Sequence, residues 1–416
     1  MFKRIFHYIH ISVYNEVLLY KATLFCYTIL HMAPVLFLQS EITDPYRLYQ
    51  TMLAEYPVYW DETNKLWAVY SYKACKAVLE NSAAHIPVIN ADNKDGLNEY
   101  ALMISGYLVR LSNGSAHTAT RQIAMRLYQH MKTRDISGLV NELLSTGRTS
   151  HETDWVNSIC KKLPVLTILN SLDFNEKDSQ IIISNIDVLV KIMLPHKTPG
   201  QVKNINAISK EVYQLVETHL LKSGLYQAAA QQAGDAFDTK AVELLSALVS
   251  NCIGLFIQSY DAGRGLLSNC LLQLLGKDNT YTGNKECLGK FVTETLRFDP
   301  PVHNTRRVAG NDIQLNNATI KKGLKLLIVL AAANRDPWRF NQPNRFDIDR
   351  TNNHEHLTFG AGGHHCIAKH FAATLAIECF AYVFERYANI QLADTCIQYE
   401  PLVNVRLPKS MFISLT

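Results

Sequence analysis

The stretch LTFGAGGHHCIA, from Leu357 to Ala368, gathers more chemistry than any other part of the chain. Gly360, Gly362 and Gly363 allow positive φ and let backbone approach a ligand closely. Cys366 stands where this loop gives way to a predicted helix. Ile367, Phe371, Leu375, Cys379 and Val383 repeat there at i, i+4, which buries one face. A thiol at a helix N-terminus is biased toward thiolate, and a thiolate is either a nucleophile or a metal ligand. Several readings compete. His354, His356, His364, His365 and Cys366 are crowded together, which suggests zinc, but the separated Cys and His pairs of structural zinc sites are missing. A nucleophilic cysteine would need a histidine base and an orienting partner brought in by the fold. A buried cysteine beside a glycine-rich turn is the plainest alternative. A further ligand reading, a haem thiolate, predicts particular residues elsewhere in the chain.

Those residues are present. Phe359, Gly360, Gly362, His364 and Cys366, with Ala368 beyond them, resemble the haem-binding loop of the cytochrome P450 family. Glu294 and Arg297, at i, i+3 on a predicted helix ended by Asp299-Pro300-Pro301, match the family's Glu-x-x-Arg. Alone, such a pair is an ordinary solvated ion pair. In Pro343-Asn344-Arg345-Phe346, Arg345 matches the Arg of the family's Pro-x-Arg-Phe turn, and ANRDPWRF before it is also family-like. The likeness runs from about Asp44 to Leu415. It implies a mainly α fold with small β-sheets, the cytochrome P450 fold, as one large haem-binding domain. It also implies a Glu294–Arg297–Arg345 network beneath the cofactor.

The implied cofactor is haem b, iron protoporphyrin IX, whose two carboxylates need cationic or hydrogen-bonding partners. By resemblance these are His117 and Arg121 of a His-x-x-x-Arg pair, Arg307 (favoured over Arg306 by its spacing from Pro301) and His364. Cys366 is the implied axial ligand, with Phe359 and Gly360 in the surrounding loop. A thiolate ligand favours O–O cleavage, so the resemblance implies a monooxygenase that inserts one oxygen atom from O2 into a small organic substrate. Electrons would come from a ferredoxin and its reductase or from a flavoprotein. A peroxide-driven oxygenase and a non-catalytic haem-binding protein are the rivals. Where relatives carry an acid–alcohol pair on the long helix, this chain has Asp261 followed by Ala262. Asp261 is read either as a proton relay or as a partner of Arg264. Alanine cannot hold a water, so Ser259 or a polar group of the substrate is expected to do so. Substrate contacts are expected around Ala101–Leu108, at Gln258, Ser259 and Ala262, at Val302–His303 and near Met411.

The elements that must position these residues are mostly helical. DPYRLYQTMLAEYP predicts a helix stopped by Pro57, and WAVYSYKACKAVLE a strand, a turn and a helix. Residues His85 to Leu111 show no sustained period and are expected to be irregular. About Thr239 to Gly276 predicts a long helix interrupted by Gly254, Gly263 and Gly265. A last helix is expected from Ile367 to about Tyr387, before a β-like tail. Composition fits a large folded domain: 416 residues, 48% hydrophobic and 19% charged. A net charge of +4 gives no reason to expect nucleic-acid binding, and nine scattered cysteines point to reduced thiols in the cytoplasm. Residues 1–40 are read as an extension of uncertain role and 41–416 as the cytochrome P450 domain. The uncharged run from Ala22 to Leu38 is short and polar for a membrane span. A packed extension, or a translation start at Met32, is expected ahead of a membrane anchor or a targeting segment.

Overall fold

Asp44 and Pro45 show how local sequence starts the first described helix: the Asp44 carboxylate accepts from Tyr46 N–H, and Pro45 occupies the first turn, where no donor is needed. The computed structural model describes residues 35–89, 95–132, 134–149, 152–231, 241–275, 284–315, 318–393 and 396–416. The expectations for residues 1–34 therefore lie outside the described residues. Contacts divide the chain into Met1–Phe37 and Leu38–Thr416, and every described helix and strand belongs to the second unit.

The helices are α1 (Pro45–Glu55), α2 (Tyr72–Glu80), α3 (Glu99–Tyr107), α4 (Gly114–Gln129), α5 (Ile136–Gly147), α6 (Leu163–Ser171), α7 (Glu176–Leu189), α8 (Pro199–Lys222), α9 (Leu225–Gln231), α10 (Ala241–Leu275), α11 (Lys285–Phe298), α12 (Leu330–Ala333) and α13 (Lys369–Arg386). The strands that build the main sheet are β1 (Val58–Asp61), β2 (Leu66–Val69), β3 (Ala84–His85), β6 (Thr305–Ala309) and β9 (Lys325–Ile328), in the order β1-β2-β9-β6-β3. A second sheet joins β4 (Arg148–Thr149) and β5 (Glu152–Asp154) to β10 (Ile390–Leu392) and β11 (Phe412–Leu415). A hairpin pairs β7 (Ile313–Leu315) with β8 (Ala318–Ile320).

The 35-residue α10 is about 50 Å long and organises the core. Its first half packs Leu248, Cys252, Ile253 and Phe256 against α3, α7 and α8. Its second half packs Leu267, Cys270 and Leu271 against α11 and α13. The glycines do not break it. A Cβ on Gly263 would come within 2.8 Å of the Pro164 ring, and one on Gly265 within 2.5 Å of Pro301, so their absence lets neighbouring chain approach. The segment expected to be irregular contains α3. Asn98 caps α3 by accepting from Ala101 N–H at 2.9 Å. Its helical period is hidden because Ala101, Leu102, Met103 and Ile104 are all apolar, and all four pack into the core. Cys75, Cys160, Cys252, Cys270, Cys287, Cys366 and Cys379 are thiols.

Candidate active site

The glycine loop is held from behind. Glu294 and Arg297, one turn apart on α11, are fully buried and joined by two bonds, Nε to Oε2 at 2.9 Å and Nη2 to Oε1 at 2.6 Å. Arg297 also donates to the carbonyls of Asn334 (3.0 Å), Pro343 (2.9 Å) and Arg345 (3.2 Å). Asn334 follows α12 and carries the link to the loop: its side chain accepts from Leu357 N–H at 2.7 Å and donates to Thr358 Oγ1 at 2.8 Å. Thr358 in turn donates to Leu296 O at 2.6 Å.

The third member of the network is not Arg345. Its side chain is exposed, and only its carbonyl takes part. Arg350 fills the place, with Nε 3.5 Å from Glu294 Oε1 and its Nη groups donating to the carbonyls of Asn341, Gln342 and Arg345. The turn explains the exchange. Gln342 has φ +46, and the chain curls so that Phe346 enters the core while Arg345 faces outward.

In the loop, Gly360 and Gly362 both have positive φ, +71 and +66. A Cβ on Gly362 would sit 2.6 Å from Leu79 O and 2.9 Å from Glu80 Cα, so only glycine lets the loop rest on the end of α2. Cys366 N–H donates to Phe359 O at 2.9 Å, closing the loop. α13 begins at Lys369, three residues after the cysteine. The lowered thiol pKa expected at a helix start is therefore not met: burial raises it, against a smaller lowering by Ala368 N–H, Arg110 and Arg121.

A cavity of about 250 Å³ has Phe359, Gly360, His364 and Cys366 on one wall and Gly254, Gln258, Ser259, Ala262 and Gly263 of α10 on another. Ser259 Oγ donates to Phe256 O at 2.9 Å, so its proton is committed to the helix. Asp261 does not line the cavity. It pairs with Arg264 at 3.2 Å, and Arg264 also reaches Glu400 at 3.4 Å. Burial raises the Asp261 pKa, and Arg264 partly opposes that. Two expected substrate contacts fall elsewhere: Met411 is in the core, and His303 is fully buried, its Nδ1 3.1 Å from Tyr49 Oη. Residues 101–108 also stand behind the wall, which Val109 and Arg110 form instead.

Cations collect along one side of the same cavity. His117, Arg121, Arg307 and His364 all line it, and the His117 and His364 rings lie 3.9 Å apart. Arg121 donates to His365 O at 3.0 Å, and Arg307 to Thr305 Oγ1 at 3.1 Å and Arg306 O at 2.8 Å. Arg306 itself is exposed. Burial pulls Arg307 down to about 10, helped by Arg110, and holds His364 down to about 3, with His117 and the arginines adding to it. Arg110, which has no helical period or motif to mark it in the sequence, is a third guanidinium here. Among the described residues no Asp or Glu lines the cavity, and no three His, Cys, Asp or Glu side chains gather as a metal site, which removes the support for zinc. One thiol, apolar walls and an acid-free cluster of cations fit a flat, apolar, dianionic metal macrocycle.

The fold and this site define a haem-thiolate class of protein, and the comparisons agree. Residues 284–405 match the family model for cytochrome P450. The chain is 30% identical to cytochrome P450 CYP107DY1 of Priestia megaterium, over 69% of this chain and 70% of that one. It is 26% identical to the biotin biosynthesis cytochrome P450 of Bacillus subtilis, over 88% and 94%. The crystal structure of P450BioI, solved with an acyl carrier protein bearing hexadec-9Z-enoic acid, superposes with a TM-score of 0.76 at 22% identity, covering 90% of this chain and 99% of that one. The chain belongs to the cytochrome P450 family: it is a monooxygenase-type oxidoreductase whose cofactor is haem b.

Proposed function

We propose that the chain inserts one oxygen atom from O2 into a small, largely apolar organic substrate, drawing electrons from a separate ferredoxin system or flavoprotein. The observation that carries this is the single cavity shared by Cys366, the cation cluster and the middle of α10. Cys366 would ligate the haem iron, and His117, Arg121, Arg307 and His364 would hold the cofactor's carboxylates. When bound, the haem supplies dioxygen chemistry that a thiolate ligand favours. Glu294, Arg297 and Arg350 fix the loop that carries the thiol. Ile86, Met131, Ile168 and Leu255 offer hydrocarbon walls, suited to an acyl chain such as the one P450BioI holds.

Proton delivery follows from the side chains facing the cavity. Asp261 is turned into Arg264, Ala262 has no hydroxyl and Ser259 gives its proton to Phe256 O. A hydroxyl or amine of the substrate is then the group that orders water. Ala262 also favours a second reading, peroxide-driven oxygenation, which needs no such relay. We further infer a cytoplasmic location, with residues 41–416 as the catalytic domain. Among the described residues α10 alone is long and apolar enough to cross a membrane, and it is mostly buried within the fold.

The test is substrate-dependent NADPH oxidation with a surrogate ferredoxin and its reductase, using labelled dioxygen. Label in the product supports the first reading. Turnover with hydrogen peroxide but not with the reductase system supports the second. A haem-loaded protein that turns over under neither condition contradicts both.

A further inference from the structure

Arg110 differs from the other two guanidiniums of the cavity. It follows Val109 in a short 3₁₀ turn and lines the cavity with an open side-chain surface. That surface is part of the cavity wall that also carries Cys366, His364 and Arg307. Arg121 is tied to His365 and Arg307 to Thr305 and Arg306. Among the described residues Arg110 makes no hydrogen bond and no ion pair. An unpaired guanidinium on an apolar cavity wall favours an anionic partner, and no aspartate or glutamate lines this cavity.

We propose that Arg110 is an anion-binding residue that takes a carboxylate inside the cavity. Two sources could supply that group, the haem and the substrate, and charge favours the substrate. The two carboxylates of haem b are matched by Arg121 and Arg307, with His117 and His364 as further donors. Arg110 is a third fixed positive charge, so a substrate with an acidic end and a hydrocarbon body completes the balance. This rests on the haem-thiolate reading of the cavity, which the ferrous–carbonyl spectrum of the wild-type holoenzyme checks separately before any ligand is added.

The experiment titrates ferric holoenzyme with octanoate and dodecanoate, each against its primary alcohol, read by the spin-state shift of the Soret band. Arg110→Leu and Arg110→Lys are run beside the wild type, with haem loss to apomyoglobin as an independent readout. If the substrate supplies the anion, the wild type prefers at least one acid over its alcohol by about tenfold or more. Arg110→Leu then removes that preference, Arg110→Lys keeps part of it, and haem loss is unchanged. If the haem supplies it, Arg110→Leu loses haem faster, Arg110→Lys restores retention, and acids gain nothing over alcohols. Unchanged haem loss in Arg110→Leu, together with no acid preference that depends on Arg110, overturns the proposal.

Discussion

Glu294 accepts from Arg297 twice and from Asp347 N–H at 2.9 Å, with Arg350 beside it, and both Glu294 and Arg297 are fully buried. Removing one partner of a buried pair leaves the other charge unpaired, at a cost of about 3–5 kcal/mol. Glu294→Ala is therefore expected to fail to fold or to fold without haem, as circular dichroism and the Soret absorbance will report. The two candidate arginines give a sharper comparison. Arg350→Ala removes charge-assisted bonds to the carbonyls of Asn341, Gln342 and Arg345 and the cation beside Glu294, and should cost about 2 kcal/mol, whereas Arg345→Ala, at an exposed side chain, should stay within about 0.5 kcal/mol. Urea denaturation separates the two, and equal losses would restore Arg345 to the network. Glu294, Arg297 and Cys366 were legible in the sequence because their spacing is local and their neighbours are punctuated by proline and glycine. Which arginine turns inward was not, because a positive φ at Gln342 and the burial of Phe346 decide it. Arg110 was hidden for a related reason: only the folded cavity shows that its charge has no partner.

At the scale of elements, the glycine loop and α2 form one unit, because Gly362 rests against the backbone of Leu79 and Glu80. Gly362→Ala should push the loop off α2 and displace Cys366. Its positive φ adds strain of about 1–2 kcal/mol. The expected result is a folded protein with little haem, or with a Soret band unlike that of thiolate ligation. A normal spectrum at full haem content would show that the loop does not depend on this contact. The long helix, the Pro-stopped α1 and the last helix were readable from periodicity and caps. α3 was not, because a short helix that is apolar on every side has no contrast between faces for a period to reveal.

For the whole molecule, buried neutral histidine sets an acid limit on stability. His303 sits between Tyr46, Tyr49 and the cations Arg335 and Arg406, and burial first, then those cations, hold its pKa well below the usual value. The unfolded chain gains a proton on this residue below about pH 6.5 while the folded chain does not. The stabilisation is present above that pH and is lost as pH falls, at up to about 1.4 kcal/mol per pH unit for this one group. Unfolding free energies of wild type and His303→Gln between pH 7.5 and 5.5 should diverge in slope by that amount, and parallel curves would remove His303 from the account. The central claim remains that the cavity is a haem site ligated by Cys366. It is tested most directly by the ferrous–carbonyl spectrum of the wild type and of Cys366→Ser. The account predicts a strongly red-shifted Soret band in the wild type and its loss in the variant, and a variant that keeps that band would contradict it.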